Sequence, residues 1–399
     1  ISFAPVPRAS GWKNLDIPMP AICLSKTGRQ LAGAAATITR FAINRQLKIS
    51  CSLSLFGNWL ILLGQPKDFE NLNLKNQPLR KLFLIAMCLG WLPGSNLFGQ
   101  QLFQYSLNML NPFAANPAYA GLDHSLSATG VYRKQWVNLP GSPVSRHINV
   151  HLPLYSLQGG FGINVASDQA GIGKMNAASA AYNYQMPVGK SLLSLGVSGG
   201  WYQMSLDGRA IQTPEGIREP FLDHRDEILP TEIISAGTGT IDLGAYFQSE
   251  SFEFGVSARN LLMGNLDYQS FSYLLQQHYT LLAVYKWDVS RNLTLKPSVF
   301  IKSDLTQHQV DFSALLEYND NIFGGVSFRG YNSNSIDALV IFGGAKVSET
   351  LRVGYAYDLT LSGLKQVSNG SHEILVRYQL NKMIGAGRPP RIIYNPRTL

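Results

Sequence analysis

The feature that most constrains this chain is an alternation of apolar and polar residues in segments of about ten residues. His147–Leu152 reads His-Ile-Asn-Val-His-Leu, and Leu193–Trp201 repeats the pattern with serine and glycine as the polar or small partners. Successive side chains of a β-strand point to opposite faces, so each segment has one apolar face. After Gln101 no apolar run reaches the roughly 18 residues of a transmembrane helix.

The alternation predicts fourteen strands, near residues 124–137, 143–153, 160–168, 175–186, 190–204, 239–248, 252–260, 278–287, 293–302, 308–318, 321–329, 336–346, 350–358 and 371–380. An even number returns both chain ends to one side of a membrane, as single-chain bacterial barrels require. We therefore predict an all-β fold, a transmembrane antiparallel outer-membrane β-barrel of about 14 strands.

The predicted connections support this count. Five that fall on one side of the barrel are short: Pro187–Gly189, Ser249–Ser251, Asp288–Asn292, Asn319–Asp320 and Val347–Glu349. The two longest, Ser205–Thr238 and Leu261–Gln277, fall on the other side. Outer-membrane barrels have short periplasmic turns and longer external loops, and one missed strand would have removed this asymmetry.

Composition separates a membrane barrel from its main rival, a soluble β-sandwich or propeller. Charged residues make up 15% of the chain, against about 25% in soluble proteins. No motif repeats at the propeller period of about 40 residues. The net charge of +8 does not indicate nucleic-acid binding, because residues 1–100 hold 11 basic and 3 acidic residues and the rest holds 22 of each.

The first hundred residues differ from the rest of the chain. Residues 75–100 resemble a signal peptide, with a basic start and an eleven-residue apolar run, Leu82–Leu92, that is too short to span a bilayer. We expect residues 1–74 to be a mis-annotated or unstructured extension, 101–380 to form the barrel, and 381–399 to form a tail. The three cysteines, Cys23, Cys51 and Cys88, all precede the barrel.

No pattern in the predicted barrel points to catalysis, a cofactor or a metal. His147 and His151 share one strand face without a nearby carboxylate or thiolate, which favours ordinary lumen-facing polar residues over metal ligands. Ser145 shares that face, a weak hydrolase signal. Gly171–Lys174 lacks the spacing of a phosphate-binding loop. The other inward positions are mostly Ser, Asn, Gln, His and Gly, which favours a filled or partner-occupied interior.

The most charged part of the predicted barrel is the loop Leu206–Glu232. The simplest interpretation is a solvated external loop. The alternative is a surface on which another protein docks, because binding residues concentrate on loops that a rigid scaffold holds.

Two motifs near the start of the barrel resemble the PorP/SprF family of type IX secretion and gliding-motility outer-membrane proteins of Bacteroidetes. They are NPFAANPAYAG, Asn111–Gly121, and RKQWVNLPGSP, Arg133–Pro143. Further matching segments follow in order: GVSARNLL at Gly255–Leu262, KPSVFIK at Lys296–Lys302, GYAYDLT at Gly354–Thr360 and GSHEILVRYQL at Gly370–Leu380.

The resemblance implies a non-enzymatic component that assists export or surface attachment of cargo with a C-terminal signal domain. The implied partners are the periplasmic ring and peptidoglycan-linked lipoproteins of the machinery, secreted adhesin-like cargo and outer-membrane lipid, with no nucleic acid. The family supplies no catalytic, metal or cofactor residue. Arg133, Trp136 and Pro140 match the early motif, either as partner contacts or as rim residues. The alternative function is an outer-membrane pore or solute transporter.

Overall fold

The computed structural model describes residues 103–380, apart from residue 220 and residues 269–270 and 332–334. The predicted extension 1–74, signal peptide 75–100 and tail 381–399 lie outside these described residues. Among the described residues, no helix has the length and apolar character needed to cross a membrane.

Seventeen strands are present in the described part of the chain: β1 (Ser127–Lys134), β2 (Val144–Leu154), β3 (Gly159–Ala170), β4 (Gly173–Val188), β5 (Ser191–Asp207), β6 (Ile233–Gln248), β7 (Phe252–Arg259), β8 (Asn265–Asp267), β9 (Ser272–Leu274), β10 (His278–Tyr285), β11 (Trp287–Ser290), β12 (Leu293–Ser303), β13 (His308–Tyr318), β14 (Ile322–Arg329), β15 (Ala338–Ser348), β16 (Leu351–Thr360) and β17 (Ser371–Gln379). All fourteen predicted strands are confirmed.

The strands close into a fourteen-stranded antiparallel barrel. Each barrel strand pairs with its neighbour in sequence, and β10 pairs with β12. The barrel closes because β17 pairs with β1 along the whole length of β1. Because Lys286 alone separates β10 from β11, these two segments form one barrel strand. The short strands β8 and β9 form a separate hairpin. The start of β1 and the end of β17 lie at the end of the barrel that carries the short turns, called here the short-turn end; the opposite end is the long-loop end.

Several predicted strand bounds are wrong by a few residues. The turn predicted at Asp288–Asn292 is shorter, because Trp287–Ser290 continues the strand and pairs with β12. Strands β4 and β15 likewise run to Val188 and Ser348, into the turns predicted there. Strand β6 begins at Ile233 rather than near residue 239, and its first residues are mostly small, which weakens the apolar alternation.

The outer face of the barrel is apolar, as the alternation predicted. Large exposed side chains lie on it all the way round, among them Ile148, Val165, Leu195, Leu243, Tyr285, Phe312, Val326, Ile341, Tyr355 and Ile374. The alternate residues of the same strands, such as Asn149 and Ser194, are buried on the inside. An exposed apolar belt with a polar interior is the arrangement that a bilayer requires of a barrel.

The interior of the barrel is filled by the chain that precedes β1. Phe103–Asp123, called here the plug, folds into three short 3-10 turns, Asn108–Leu110, Pro112–Ala114 and Pro117–Tyr119. Proline opens two of these turns, since its fixed φ suits the first position. Leu107, Phe113 and Ala118 of the plug are completely or almost completely buried against inward side chains of the strands. The core of this molecule therefore lies between the plug and the barrel wall.

Candidate functional site: the plugged lumen

Near the long-loop end, five charged residues from five strands meet inside the barrel. This charged layer consists of Arg133 on β1, Asp311 on β13, Arg329 on β14, Asp358 on β16 and Glu373 on β17. Asp358 accepts from Arg133 at 2.7 Å and from Arg329 at 2.9 Å, and Arg329 also pairs with Asp311 at 3.1 Å. All five are buried. Burial of so many charges is tolerable only because each one is paired and hydrogen-bonded.

The charged layer holds the first part of the plug. The hydroxyl of Ser106 donates to Asp358 at 2.7 Å and accepts from Arg133 at 2.8 Å. The backbone N–H groups of Ser106 and Leu107 both donate to the Glu373 carboxylate, at 2.7 and 2.9 Å. Hydrogen bonds to charged groups are stronger than neutral ones, about 1.5–3 kcal/mol each. The layer therefore fixes the position of the plug as well as linking the strands.

Further towards the short-turn end, neutral side chains of the wall hold the plug backbone. Asn183 donates to the carbonyl oxygens of Ala118 and Ala120, at 2.8 and 2.6 Å. Ser194 donates to the same Ala118 oxygen at 2.6 Å. In return, Asn116 donates to two backbone carbonyl oxygens of β6 and β7, both at 3.0 Å. This region satisfies the backbone polar groups that a turn-rich segment leaves unpaired.

Glycines in the wall make room for the motif Asn116–Gly121. A Cβ added at Gly244 would lie 2.0 Å from Oδ1 of Asn116, and one at Gly196 would lie 2.4 Å from the Ala118 nitrogen. Both distances are far below van der Waals contact, so only glycine allows this approach. We call the segment 116–121, with the wall residues that touch it, the glycine seat.

At the short-turn end the plug finishes on Asp123. This carboxylate pairs with Arg377, accepts from Tyr119 at 2.9 Å and from Ser127 at 2.8 Å, and lies 3.4 Å from the His151 ring. Asp123 therefore connects the last residues of the plug to β1, β2 and β17. The plug is attached to the wall at both ends and along its middle.

A small cavity lies between the plug and the wall. The enclosed cavity beside Tyr105 and Phe300 measures about 30 Å³. Beyond it, the hairpin β8–β9 covers the inner side of the projecting ends of β5 and β6, where Leu266 and Tyr268 pack on Leu206 and Ala236. Burial raises the pKa of the Tyr268 phenol to about 12. The plug and this hairpin therefore both lie on the inner side of the barrel wall.

The histidines and serine singled out in the sequence all face the lumen. His147 stacks on Tyr105 of the plug with ring centroids 5.5 Å apart, and the His151 ring contacts Phe113. Ser145 donates to Asp168 at 2.6 Å rather than to a histidine. No group of three potential metal ligands occurs among the described residues. The two histidines therefore pack on the plug, whereas Ser145 links β2 to β3.

The matched residues of the early motif have separate positions. Arg133 belongs to the charged layer, whereas Trp136 lies in the β1–β2 loop, where its backbone N–H donates to the Ser371 hydroxyl at 3.1 Å. The neighbouring Val137 N–H donates to Gly370 at 2.8 Å, which joins two loops at the rim. Pro140 is exposed. Arg133 thus holds the plug, and Trp136 belongs to the closed rim.

The charged interior was not predicted from the sequence. Ser, Asn, Gln, His and Gly were expected at the inward positions, but paired charges lie there as well, among them the charged layer and the pair Asp123–Arg377. A signal was present: Arg133, Asp358 and Glu373 all stand at inward positions of alternating strands and within the matched motifs.

Comparison with known proteins gives one family and several distant structures. The family described as type IX secretion system membrane protein PorP/SprF matches residues 97–378. No curated protein matches the chain. Similar solved structures include the outer membrane protein Omp33 of Acinetobacter baumannii (9% identity, 64% of this chain and 97% of that one, TM-score 0.38) and the toluene transporter TbuX of Ralstonia pickettii (10%, 67% and 92%, 0.41). Likenesses this distant carry no information about the function of this chain.

Proposed function

Because this chain belongs to the PorP/SprF family of type IX secretion system membrane proteins, we propose that it assists the export or surface attachment of cargo proteins with a C-terminal signal domain. It is an outer-membrane component of that system, built on a non-enzymatic barrel. The role in cargo export or surface attachment, and any part in gliding motility, are our proposal. We also propose that residues 75–100 form a signal peptide.

The filled lumen is the observation that most favours this role over a solute pore. A diffusion channel needs a water-filled path, whereas here the plug occupies the barrel from the charged layer to Asp123. The charges of the layer pair with one another and hold Ser106, instead of lining an open constriction. A barrel of this kind is suited to presenting its two ends to other proteins.

The two ends suit different partners. In outer-membrane barrels the short turns face the periplasm, where the ring and the peptidoglycan-linked lipoproteins of the machinery would dock. The long loops face the cell surface, where adhesin-like cargo would be received. The charged loop 208–232 lies at that surface end.

Deletion of the gene tests the proposal. We expect one or a few cargo proteins to disappear from the cell surface and medium and to accumulate or be degraded inside, while uptake of small solutes stays unchanged. Quantitative proteomics of the secreted fraction, beside wild type and a strain complemented in trans, measures this. An unaltered secreted fraction with impaired growth on one nutrient would contradict the secretion function and favour solute transport.

Electrical recording tests the pore alternative directly. The purified full chain in a planar lipid bilayer should show no steady ion conductance, because the plug fills the lumen. A variant that lacks residues 103–121 should conduct if it still folds, as heat-modifiable gel migration would report. Steady conductance by the full chain would favour the pore.

A further inference from the structure

Strand β6 has an open edge at its long-loop end. It pairs with β7 only over Leu243–Gln248, whereas its pairing with β5 continues to Ile233. The backbone oxygen of Ile241 accepts from the Leu261 N–H on the side of β6 that faces β7. In a β-strand the N–H and C=O of one residue point to the same side, and every second residue points to that side as well. The residues that present both groups to this open side are Ile233, Ser235, Gly237 and Gly239. In the described parts of the chain, no backbone partner of these four lies on that side.

The open edge lies beyond the lipid. On the outer face of β5, Leu193, Leu195 and Val197 are followed by the exposed Trp201, which marks the aromatic boundary of the apolar band. The outward residues above it are Gln203, Ser205 and Asp207, and these pair with Gly237, Ser235 and Ile233 of β6. The edge therefore meets water at the cell-surface side, where unpaired backbone groups can exist without the penalty of hydrocarbon.

No strand of the described chain pairs with this edge. The hairpin β8–β9 packs on the inner side of β6 but forms a sheet of its own. Natural edge strands are usually protected by lysine, proline or a bulge, and residues 233–239 have none of these. Exposed apolar side chains instead surround the edge: Ile233, Leu262 and Met263 are 56%, 55% and 41% exposed. An unprotected edge with an apolar surround is typical of a surface to which a partner strand is added.

The loop beside the edge is acidic. Residues 208–232, which end at the start of β6, contain six acidic and three basic residues. The buried His224 holds this loop in place, since its ring contacts the Gly208 and Pro230 oxygens at 3.0 and 2.9 Å. A strand added antiparallel to β6 would run towards this loop, so basic residues at its C-terminal end would be attracted there.

We propose that Ile233–Gly239 is a docking edge for an extended segment of a secreted polypeptide, added antiparallel to β6 with basic residues towards loop 208–232. That the partner is an exported chain rests on the proposed function, whereas the edge itself rests on the strand pairing. A second copy of this chain fits poorly. Two barrels upright in one membrane would bring their β6 strands together in parallel and place two acidic loops side by side.

Ser235 allows a matched test of the edge. Ser235→Pro removes an N–H that faces the open side and keeps the pairing with β5, whereas Ser235→Ala keeps that N–H. The probe is a synthetic peptide of alternating valine and threonine that ends in two lysines, added to the full chain in nanodiscs and followed by fluorescence anisotropy. We expect Ser235→Ala to bind like wild type and Ser235→Pro to bind at least about tenfold more weakly. Equal binding by both folded variants, or no binding to wild type, would overturn the docking edge.

Photo-crosslinking in secreting cells tests the partner. A benzophenone amino acid at position 233 should form an adduct with an exported protein, and Ser235→Pro but not Ser235→Ala should abolish it. Adducts between two copies of this chain, or no adduct, would contradict the proposal that the partner is an exported protein. If gene deletion leaves the secreted fraction unaltered while the peptide still binds, the proposed function fails and the docking edge stands.

Discussion

Two parts of the plug, Ser106 and the segment Asn116–Gly121, are held by different physical means. At the charged layer, Ser106 is fixed by ionised side chains from β1, β16 and β17. At the glycine seat, the backbone of Asn116–Gly121 lies directly on wall positions where a side chain is missing. Specific charges position Ser106, and the shape of the wall positions Asn116–Gly121.

The charged layer and the glycine seat should respond differently to substitutions. A buried ion pair adds little net stability over an apolar pair, but the loss of one partner leaves a charge uncompensated. A glycine seat has no such charge to expose, and it fails only when added atoms push the plug away. The charged layer should therefore respond strongly to removal of atoms, and the glycine seat to their addition.

The largest effect is expected from Arg329→Met. Asp311 and Asp358 would each lose a buried counterion, which costs about 3–5 kcal/mol of unfolding free energy. Urea titration of the folded barrel in lipid vesicles, read by heat-modifiable migration, measures it. The exposed Arg146, whose guanidinium lies 5.9 Å from the Tyr132 ring centre, supplies the control, and Arg146→Met should cost no more than about 1 kcal/mol. Equal losses would mean that the charged layer holds nothing.

A second substitution separates the wall from the plug. Leu195 lies on the lipid face of β5 between two residues that touch the plug, so Leu195→Arg changes the wall alone. A cation near the bilayer midplane costs about 2–4 kcal/mol, and close to the interface only about 0–1. Val188→Arg, at the short-turn edge of the barrel, is the matched control. Equal unfolding free energies of the two variants would show that the outer face was wrongly assigned.

The barrel could be predicted from the sequence, and its inward residues favoured a filled or partner-occupied interior, but the segment that fills it could not be identified. Alternation identifies each strand because lipid lies on one side, and this works even where the inward residues are as different as Ser194 and Asp358. The plug has no period, since its 3-10 turns contain only three residues each. Its position depends on contacts with strands that lie far away in the sequence. Asn116 and Gly244 illustrate this, because nothing in the sequence shows that these two residues will be in contact in the closed barrel.

Gly196→Ala tests the glycine seat by addition. The new methyl group would collide with the Ala118 backbone, and overpacking of this kind costs about 1–3 kcal/mol. Hydrogen exchange should rise at Ala118–Gly121 and stay unchanged at Ser106 and Leu107. Gly199→Ala on the same strand has open space around the new group and should change neither. Faster exchange both at Ala118–Gly121 and at Ser106 and Leu107 would show that the two regions are not independent.

The smallest effect is expected from Ser194→Ala. Its hydroxyl donates to the Ala118 oxygen, but Asn183 donates to the same oxygen at 2.8 Å, so the acceptor keeps a partner. The expected loss is that of one neutral hydrogen bond, about 0.5–1.5 kcal/mol. Asn183→Ala should cost more, because it also leaves the Ala120 oxygen with one donor fewer and the Gly160 N–H without its side-chain acceptor. The same urea titration compares them, and a Ser194 effect as large as that of Arg329→Met would remove the distinction between the charged layer and the glycine seat.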